Sequence, residues 1–370
     1  MSLKPVAPNA VQTVIKHNMQ SVVLGISGGV DSAVAAFILK NSGYDVTAVF
    51  LKMHGCASIS EQDAKAVCET LGIKFVSLDV AKEFDAKITD YFVNEYLLGR
   101  TPNPCVRCNA EIKFNALLNY ADENGIEKIA TGHYCGIFYD ENTGRYAISK
   151  SNTKKDQSYM LSRLPQSVIS RIIFPLNQFD KETVRKIAIE NNIPVAEKPD
   201  SQEICFIPDN DYVSYIEERK GKIPEGDFYL EDENKIIGKH KGIIHYTTGQ
   251  RKRLGIAVGV PLIVKDIDAE KNIITVTKKP FLSIKAVKIE NVCYQKNENF
   301  QNVPECFIKL RYTAKPIMCK VIELYNGKTL FCEFFEAVSM ASKGQTAVLT
   351  DENGVIIASG EISEVIFNEE

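Results

Sequence analysis

An apolar strand, a glycine turn and a helix follow one another in residues 21–43, and they constrain the fold more than any other stretch. SVVLGI (21–26) is a short apolar run with β-branched residues, which is typical of a buried strand. SGGVDS (27–32) follows, and VDSAVAAFILKNSG (30–43) has the pattern of a helix that ends at Gly43. This order predicts a fold in which parallel strands are joined by helices.

The same alternation continues to residue 133, which predicts a parallel sheet covered on both faces. In such folds ligands bind at the carboxyl ends of the strands. The glycine turn, the end of the second strand and Gly132-His133 all fall there. The predicted strands are 21–26, 45–53, 73–80 and 128–133, and the predicted helices are 30–43, 60–72 with Ser60 as N-cap, 81–98 and 109–124.

The second half of the chain changes in texture. Residues 160–220 are mixed and helical, with an irregular loop at 198–211, and GKIPEG (221–226) is a linker pattern. Short alternating segments follow, from GIIHYTT (242–248) to the C-terminus, and predict antiparallel strands that close into a small barrel. We therefore expect an α/β fold in three parts: an N-terminal Rossmann-like catalytic domain (1–210), a linking domain (211–280) and a C-terminal antiparallel β-barrel (281–370).

Composition restricts the class of protein. The 370 residues are 45% hydrophobic with a net charge of −3, and no apolar run approaches the roughly 18 residues of a membrane span. The first residues lack the apolar region of a signal peptide, so we expect a cytoplasmic protein with no membrane partner. Its ten cysteines are then expected to be thiols, ligands or catalysts rather than structural disulfides.

A basic segment lies in the predicted linking domain. From Asn234 to Lys265 there is no acidic residue, although there are seven lysines and arginines. Such a surface can contact phosphates even on a mildly acidic protein. It can equally be a solvated face, and the sequence leaves both interpretations open.

The glycine turn has the chemistry of a phosphate site. Gly28 and Gly29 allow backbone N–H groups to approach an anion, and the following helix adds its positive dipole end. Ser27 and Ser32 can donate hydroxyl hydrogen bonds, and Asp31 can hold a Mg²⁺ ion. Because the turn has no lysine, it is not a Walker A loop.

Two thiols lie three residues apart in TPNPCVRCN (101–109). Pro102 and Pro104 argue against a helix or a central strand, so we expect Cys105 and Cys108 on a rigid, exposed loop. A third thiol, Cys205, lies in the polar stretch DSQEICFIPDN. Cys56 and Cys135 are ambiguous, whereas helix or strand patterns predict small core residues at Cys68, Cys293, Cys306, Cys319 and Cys332.

These motifs resemble a known family. SGGVDS resembles the loop of the PP-loop ATP pyrophosphatases, and over essentially its full length the chain resembles the tRNA-specific 2-thiouridylases of the MnmA/TrmU type. The resemblance is carried by GISGGVDS (25–32), RTPNPCVRCNAEIKF (100–114), ATGHY (130–134), KKDQSYML (154–161), PDSQEICFI (199–207), YTTGQRK (246–252), KLRY (309–312) and GQTAV (344–348).

The resemblance implies an activity and its site residues. It implies ATP-dependent 2-thiolation of the wobble uridine of tRNA with Mg²⁺, by adenylation of the uridine oxygen and displacement of AMP by sulfur. Cys108 is then the nucleophile or resolving thiol and Cys205 the persulfide carrier, and a Cys108–Cys205 disulfide is a turnover intermediate. The implied nucleotide-binding residues are Gly25, Ile26, Ser27, Gly28, Gly29, Val30, Asp31, Ser32, Leu51 and Gly132. The implied tRNA contacts are Asn103, Pro104, Cys105, His133, Lys155, Asp156, Gln157, Arg311, Tyr312 and Gln345.

The resemblance also implies partners. They are the anticodon stem-loop of tRNAs for Lys, Glu and Gln, together with a sulfur source. That source is a cysteine desulfurase, another persulfide-carrying protein or free sulfide.

One position departs from the family pattern. Many relatives read NPD-x-x-C where this chain reads NPC-x-x-C, so a carboxylate is replaced by Cys105. Cys105, Cys108 and Cys205 together form a ligand pattern for a [4Fe–4S] cluster with one open iron. A persulfide pair with an incidental Cys105, a zinc site and a redox-active dithiol are the alternatives.

Two other functions remain open at this point. One is a PP-loop synthetase for a small molecule, which has no need of Cys108 or Cys205. The other is a non-catalytic RNA- or nucleotide-binding protein, against which the intact SGGVDS argues.

Overall fold

The protein is described here by a computed structural model, which covers residues 20–54, 58–199, 204–300, 305–325 and 327–368. Within these ranges no helix is long and apolar enough to cross a membrane. Cys56 and the middle of the 199–207 motif lie outside them.

The N-terminal domain is built on a five-stranded parallel sheet in the order β3-β2-β1-β4-β7. Apolar side chains of β1 and its neighbour β4 are fully buried between helices on both faces of the sheet, as expected for parallel strands covered on both faces. The strands are β1 (Ser21–Gly25), β2 (Asp45–Lys52), β3 (Lys74–Asp79), β4 (Lys128–Thr131) and β7 (Ile172–Ile173). A hairpin of β5 (Gly136–Asp140) and β6 (Arg145–Ser149), which the sequence did not predict, follows β4.

The helices connect these strands and cover the sheet. Their bounds are α1 (Val30–Asn41), α2 (Ser58–Leu71), α3 (Ala81–Phe84), α4 (Asp90–Leu97), α5 (Pro104–Cys108), α6 (Phe114–Glu123), α7 (Gln166–Ile169) and α8 (Lys181–Glu190). The helix predicted at 81–98 contains a π-helical turn, Asp85–Thr89, and a second π turn, Asn109–Lys113, joins α5 to α6. The Ser60 N-cap is wrong, because α2 begins earlier, at Ser58.

The middle domain follows α9 (Tyr212–Lys220) and contains a four-stranded sheet in the order β10-β11-β8-β9. Its strands are β8 (Gly226–Leu230), β9 (Lys235–His240), β10 (Ile263–Asp268) and β11 (Ile273–Thr277). Two expectations are corrected here. The β8–β11 pair is parallel, and GIIHYTT contains a 3₁₀ turn, Ile243–His245, because its two adjacent isoleucines are both buried rather than alternating.

The C-terminal domain is a closed antiparallel barrel in the order β12-β15-β14-β13-β16-β17. The barrel closes because β12 pairs with both β15 and β17, which leaves no exposed edge. Its strands are β12 (Ile284–Tyr294), β13 (Glu305–Lys309), β14 (Ile317–Leu324), β15 (Thr329–Val338), β16 (Thr346–Thr350) and β17 (Ile356–Phe367). A parallel-sheet domain, a linking domain and a terminal barrel confirm the predicted fold class.

Candidate active site

The glycine turn after β1 is fixed by its own hydrogen bonds. Gly29 is extended (φ −105°, ψ 160°) and begins α1. Gly28 has φ +70°, and a Cβ atom there would lie 2.2 Å from the carbonyl oxygen of Ser60, so only glycine fits. The Ser32 hydroxyl donates to the Gly29 carbonyl at 3.0 Å and accepts from the Ser27 amide at 3.1 Å. The turn therefore holds the start of α1, whose first amides have no intrahelical partner, ready for an anion.

The other residues expected around a nucleotide lie at the same sheet edge. A Cβ atom on Gly132 would come within 2.7 Å of the backbone nitrogen of Ser32, so the end of β4 touches the start of α1. Leu51 is half-buried on β2, next to β1. Gly25 ends β1, and Ile26 and Val30 are buried, so these three can contribute only their backbone.

Asp31, the carboxylate of the turn, accepts hydrogen bonds from three side chains. Its Oδ1 accepts hydrogen bonds from the Tyr134 hydroxyl and the Lys181 ammonium, both at 2.6 Å, and Oδ2 accepts one from Lys155 at 3.3 Å. A single carboxylate beside a phosphate site fits Mg²⁺, which is usually held by one or two carboxylates together with substrate phosphates.

The cysteine segment is helical, which corrects the expectation of a loop. Pro104 is the first residue of α5, a position where its missing N–H costs nothing, and the Asn103 side chain caps the helix by accepting from the Val106 amide at 3.4 Å. Cys108 is only 4% exposed and Cys105 is half-buried. The thiols are therefore set on a capped helix, not on an exposed loop.

One lysine influences all three candidate thiols. Burial, opposed in part by Lys113, raises the pKa of Cys108 to about 11. Burial also raises the pKa of Cys105 and Cys205, and Lys113 opposes it there too. Burial alone would lower the pKa of Lys113, but the thiols raise it above its usual value. Cys205 is exposed, so solvent screens its thiol more than the other two. The three sulfurs thus share one ammonium group.

The thiols do not yet form a metal site. Over the ranges the structure covers, no group of three or more His, Cys, Asp or Glu side chains is arranged to hold a metal ion. Cys108 instead contacts the Met53 thioether, sulfur to sulfur at 3.9 Å. A cluster on Cys105, Cys108 and Cys205 would require these side chains to move.

The pKa of His133 responds to two charged groups, Lys113 and Asp31 of the phosphate turn. The His133 Nδ1 atom is 2.9 Å from the Thr131 hydroxyl. Burial and, to a smaller extent, Lys113 lower the pKa of His133 to about 3, although Asp31 acts to raise it. The ring is therefore neutral at physiological pH, and it can accept or donate a hydrogen bond without adding charge.

Of the expected tRNA contacts on 155–157, two side chains have structural roles. The Asp156 carboxylate accepts hydrogen bonds from the amides of Ser151 and Ser158, each at 3.1 Å. The side-chain oxygen of Gln157, Oε1, accepts a hydrogen bond from the backbone amide of Tyr134 at 2.9 Å. These contacts fix the segment beside Asp31, and its contact with tRNA stays a prediction.

The terminal barrel reaches the N-terminal domain through two of the expected tRNA contacts. The Gln345 side chain donates to the carbonyl oxygens of Thr101 at 2.7 Å and Pro102 at 3.4 Å. The Tyr312 hydroxyl donates to the Asp156 carbonyl at 3.2 Å. Arg311 is exposed nearby in sequence. The barrel thus borders both the cysteine helix and the 155–157 segment.

Several other residues that the sequence singles out are buried or form ion pairs. Cys135 is buried, and Cys293 is half-buried on β12. In the basic segment, Lys235, Lys239 and Lys265 form ion pairs with Glu233, Asp227 and Glu231, which favours a solvated face for these three. The cysteines predicted to be small core residues are otherwise buried: Cys68, Cys306, Cys319 and Cys332.

Comparison with known proteins gives the family. Family models match along the chain: the tRNA methyl transferase HUP domain at residues 20–209, the tRNA methyl transferase PRC-barrel domain at 213–278 and the aminomethyltransferase beta-barrel domain at 284–362. The tRNA-specific 2-thiouridylase MnmA of Clostridioides difficile (strain 630) is 41% identical over 357 residues, covering 93% of this chain and 98% of that protein. The chain belongs to the MnmA family of tRNA-specific 2-thiouridylases. A second family member, MnmA 2 of Thermoanaerobacter sp. (strain X514), is 42% identical over 350 residues, covering 90% of this chain and 96% of that protein.

Membership of the MnmA family confirms the sequence-based resemblance, but three site residues escaped sequence reasoning. Lys113 was quoted only within RTPNPCVRCNAEIKF; five residues after Cys108 it would not face that thiol on a regular α-helix, and the π turn Asn109–Lys113 was not predicted. Tyr134 was quoted only as part of ATGHY. Lys181 had no local signal, because it starts a helix 150 residues away from Asp31.

Proposed function

We propose that the protein is an ATP-dependent tRNA-uridine 2-sulfurtransferase that converts the wobble uridine of tRNA into 2-thiouridine. The observation that carries this proposal is the position of Lys113. Its charge affects the pKa of the three thiols and of His133, and the pKa of His133 in turn responds to Asp31 of the phosphate turn. A nucleotide site and a sulfur site within electrostatic reach of each other are what a thiolation through an adenylated intermediate requires.

The first step uses the phosphate turn. The uridine C2 oxygen attacks the α-phosphorus of ATP, an O–P bond forms, and the bond to the β-phosphate breaks to release pyrophosphate. The turn amides stabilise the charge on the phosphates, and Asp31 is the residue that would hold Mg²⁺, which would supply further charge stabilisation there. This step converts a poor leaving group, the carbonyl oxygen, into AMP.

The second step uses the thiols. The terminal sulfur of a Cys205 persulfide attacks C2 and AMP leaves. The Cys108 thiolate then attacks the Cys205 sulfur, which releases 2-thiouridine and leaves a Cys108–Cys205 disulfide. An external thiol reductant restores the pair. Because the pKa of Cys108 is about 11, the Lys113 ammonium is the group that favours the reactive thiolate.

The target base is accessible to such a site at low cost. An anticodon-loop nucleotide is single-stranded, so its extrusion requires less energy than flipping from a duplex. The capped helix with Asn103, Pro104 and Cys105 lies beside Gln345 of the barrel. We propose these residues, with His133, Lys155, Arg311 and Tyr312, as contacts to tRNAs for Lys, Glu and Gln.

The decisive experiment measures pyrophosphate release and 2-thiouridine formation with and without tRNA. Pyrophosphate release that depends on tRNA, together with thiolation lost in Cys108→Ser, supports the proposal. The control is Cys293→Ser, a thiol on β12 outside the site. Release without tRNA, unaffected by either cysteine change, would instead favour a synthetase for a small molecule.

The sulfur carrier is settled by a second measurement. Iron and acid-labile sulfide are determined per chain after purification without oxygen. About four of each per chain, lost in Cys105→Ser, would establish a [4Fe–4S] cluster fed by free sulfide. Thiolation from a persulfide-carrying protein without iron would establish the Cys205 route and make Cys105 dispensable.

A further inference from the structure

The outer face of the terminal barrel exposes apolar side chains on two neighbouring strands. Met318 and Ile322 on β14 are 38% and 42% exposed, and Phe335 on β15 is 58% exposed. Leu324, at the end of β14, and Tyr325, which follows it, are exposed as well. Large apolar side chains that lie together on a surface mark a place where another molecule binds.

The register of β14 and β15 sets outward-facing side chains in pairs. The strands are antiparallel, with Ile322 opposite Phe331 and Lys320 opposite Glu333. The residue that lies between the two on each strand is buried in the barrel core, so these four side chains face outward. An apolar pair and a pair of opposite charge are therefore neighbours on one face.

A third pair extends this face. The last paired residues of the two strands are Cys319 and Phe334, which are both buried. Their neighbours Met318 and Phe335 are exposed, and the same register sets them opposite each other. In all three pairs the β14 residue can make a favourable contact with its β15 partner: a thioether or an aliphatic chain with an aromatic ring, or an ammonium group with a carboxylate.

Such pairs make the face complementary to a copy of itself. A two-fold axis that runs along the strands, between β14 and β15, sets each β14 residue against its β15 partner from the other copy. The contacts across the axis are then the same three pairs, exchanged between chains: Met318 with Phe335, Lys320 with Glu333, and Ile322 with Phe331. An interface between two identical chains requires this self-complementarity, and aligned strands are a common arrangement of sheets packed face to face.

The charged row extends beyond the central pair. Glu305 lies opposite Lys320 on β13, and Glu333 forms an ion pair with Lys285 of β12 at 3.3 Å. The charges therefore alternate in sign over four neighbouring strands. The axis between β14 and β15 sets opposite charges against each other along the row, whereas an axis across the strands at this row would set Lys320 against its own copy.

We propose that the outer face of β14 and β15 is the interface of a homodimer, with its two-fold axis along these strands and between them. A second copy of this chain fits the face better than a lipid surface does, because a lipid surface has no charges to match a row of alternating sign. The barrel contacts to the N-terminal domain described above, through Gln345 and Tyr312, lie outside these two strands. The inference goes beyond the proposed function and does not depend on it.

The test is the oligomeric state of the full chain. Sedimentation velocity from about 1 µM to about 100 µM is expected to show a dimer. Lys320→Glu and Glu333→Lys each set like charges against each other, twice per dimer by symmetry. Each change is expected to weaken dimerisation about 100-fold or more. Ile236→Lys is the control, because Ile236 is 60% exposed on β9 of the middle domain, and it is expected to leave the dimer intact.

A mixture of the two charge variants tests the position of the axis. Lys320→Glu and Glu333→Lys are each expected to be monomeric alone and to form a heterodimer when mixed, because both contacts across the axis then join opposite charges again. Two folded variants that stay monomeric in the mixture would overturn the proposed geometry.

Two other results would overturn the interface itself. One is an unaltered chain that is monomeric over the whole concentration range, including one that instead binds vesicles of anionic lipid. The other is a dimer that neither charge variant weakens. Circular dichroism of each variant shows whether it is folded, and the recovery of dimerisation in the mixture excludes misfolding as the cause of its loss.

Discussion

The phosphate turn and the cysteine helix have a similar backbone arrangement but differ in the charge of the groups around them. Each sets a residue of non-helical backbone, Gly29 or Asn103, immediately before the first residue of a helix. Around the first lie ammonium groups of several lysines. Around the second lie apolar side chains and Lys113, and the pKa of Cys108 is about 11. The turn awaits an anion that arrives charged, whereas the thiols must acquire their charge during the reaction.

The largest expected effect is a loss of thiolation that leaves nucleotide binding intact. Cys108→Ser should lower thiolation by about 10³-fold or more, as loss of a nucleophile does, and leave MgATP affinity unchanged. Single-turnover thiolation and isothermal titration measure the two quantities. A parallel loss of MgATP affinity would show that the regions are not independent.

A change beside the phosphate turn should weaken MgATP binding and leave the reactivity of the thiols unchanged. Gly132→Ala puts a Cβ atom 2.7 Å from the Ser32 nitrogen and 2.8 Å from the Asp31 carbonyl carbon, so the backbone must shift. We expect about 1–3 kcal/mol lower stability and weaker MgATP binding, measured by urea unfolding and titration. The alkylation rates of Cys105 and Cys205 should stay the same; slower alkylation would mean that the strain spreads to the cysteine helix.

Lys113→Met tests how far the reactivity of the thiols depends on the nearby ammonium group. Without the ammonium group the pKa of each thiol should rise further, since Lys113 is the group that lowers it. At a fixed pH below the pKa, alkylation by iodoacetamide should slow about tenfold for each pKa unit. Peptide-resolved mass spectrometry over a pH series gives the profile.

Lys113→Arg is the matched control, because it keeps the charge and should retain the profile. Identical profiles for all three proteins would remove Lys113 from the mechanism.

The smallest effect concerns His133. Its folded-state pKa of about 3 lies below the unfolded value of about 6.5, so between these values only the unfolded chain binds the proton. Stability is complete above about pH 6.5 and falls as the pH drops, by about 1–2 kcal/mol at pH 5. Urea unfolding of the unaltered protein and of His133→Gln, above about pH 6.5 and at about pH 5, checks this. If both proteins lose the same stability at the lower pH, the loss belongs to groups other than His133.

Much of the fold could be predicted from sequence because its signals are local. SVVLGI followed by SGGVDS and an apolar helix can hardly form anything but a strand, turn and helix, and the alternating segments after residue 281 can bury one face only by closing. Local signals also misled. The prolines of TPNPCVRC argue against a helix, yet Pro104 is the first residue of one, a position that favours proline.

The sequence by itself determined the alternation of strands and helices in the catalytic domain, the phosphate turn and the spacing of two thiols three residues apart. Each depends on neighbours within one or two turns of chain, where periodicity and backbone chemistry act. Only the tertiary structure decided that Lys181 reaches Asp31, that Lys113 is shared by three sulfurs, and that Gln345 contacts the residues before the cysteine helix. These contacts join segments up to 244 residues apart. Electrostatic energy depends on distance in space, and only packing of the sheet, helices and barrel sets that distance.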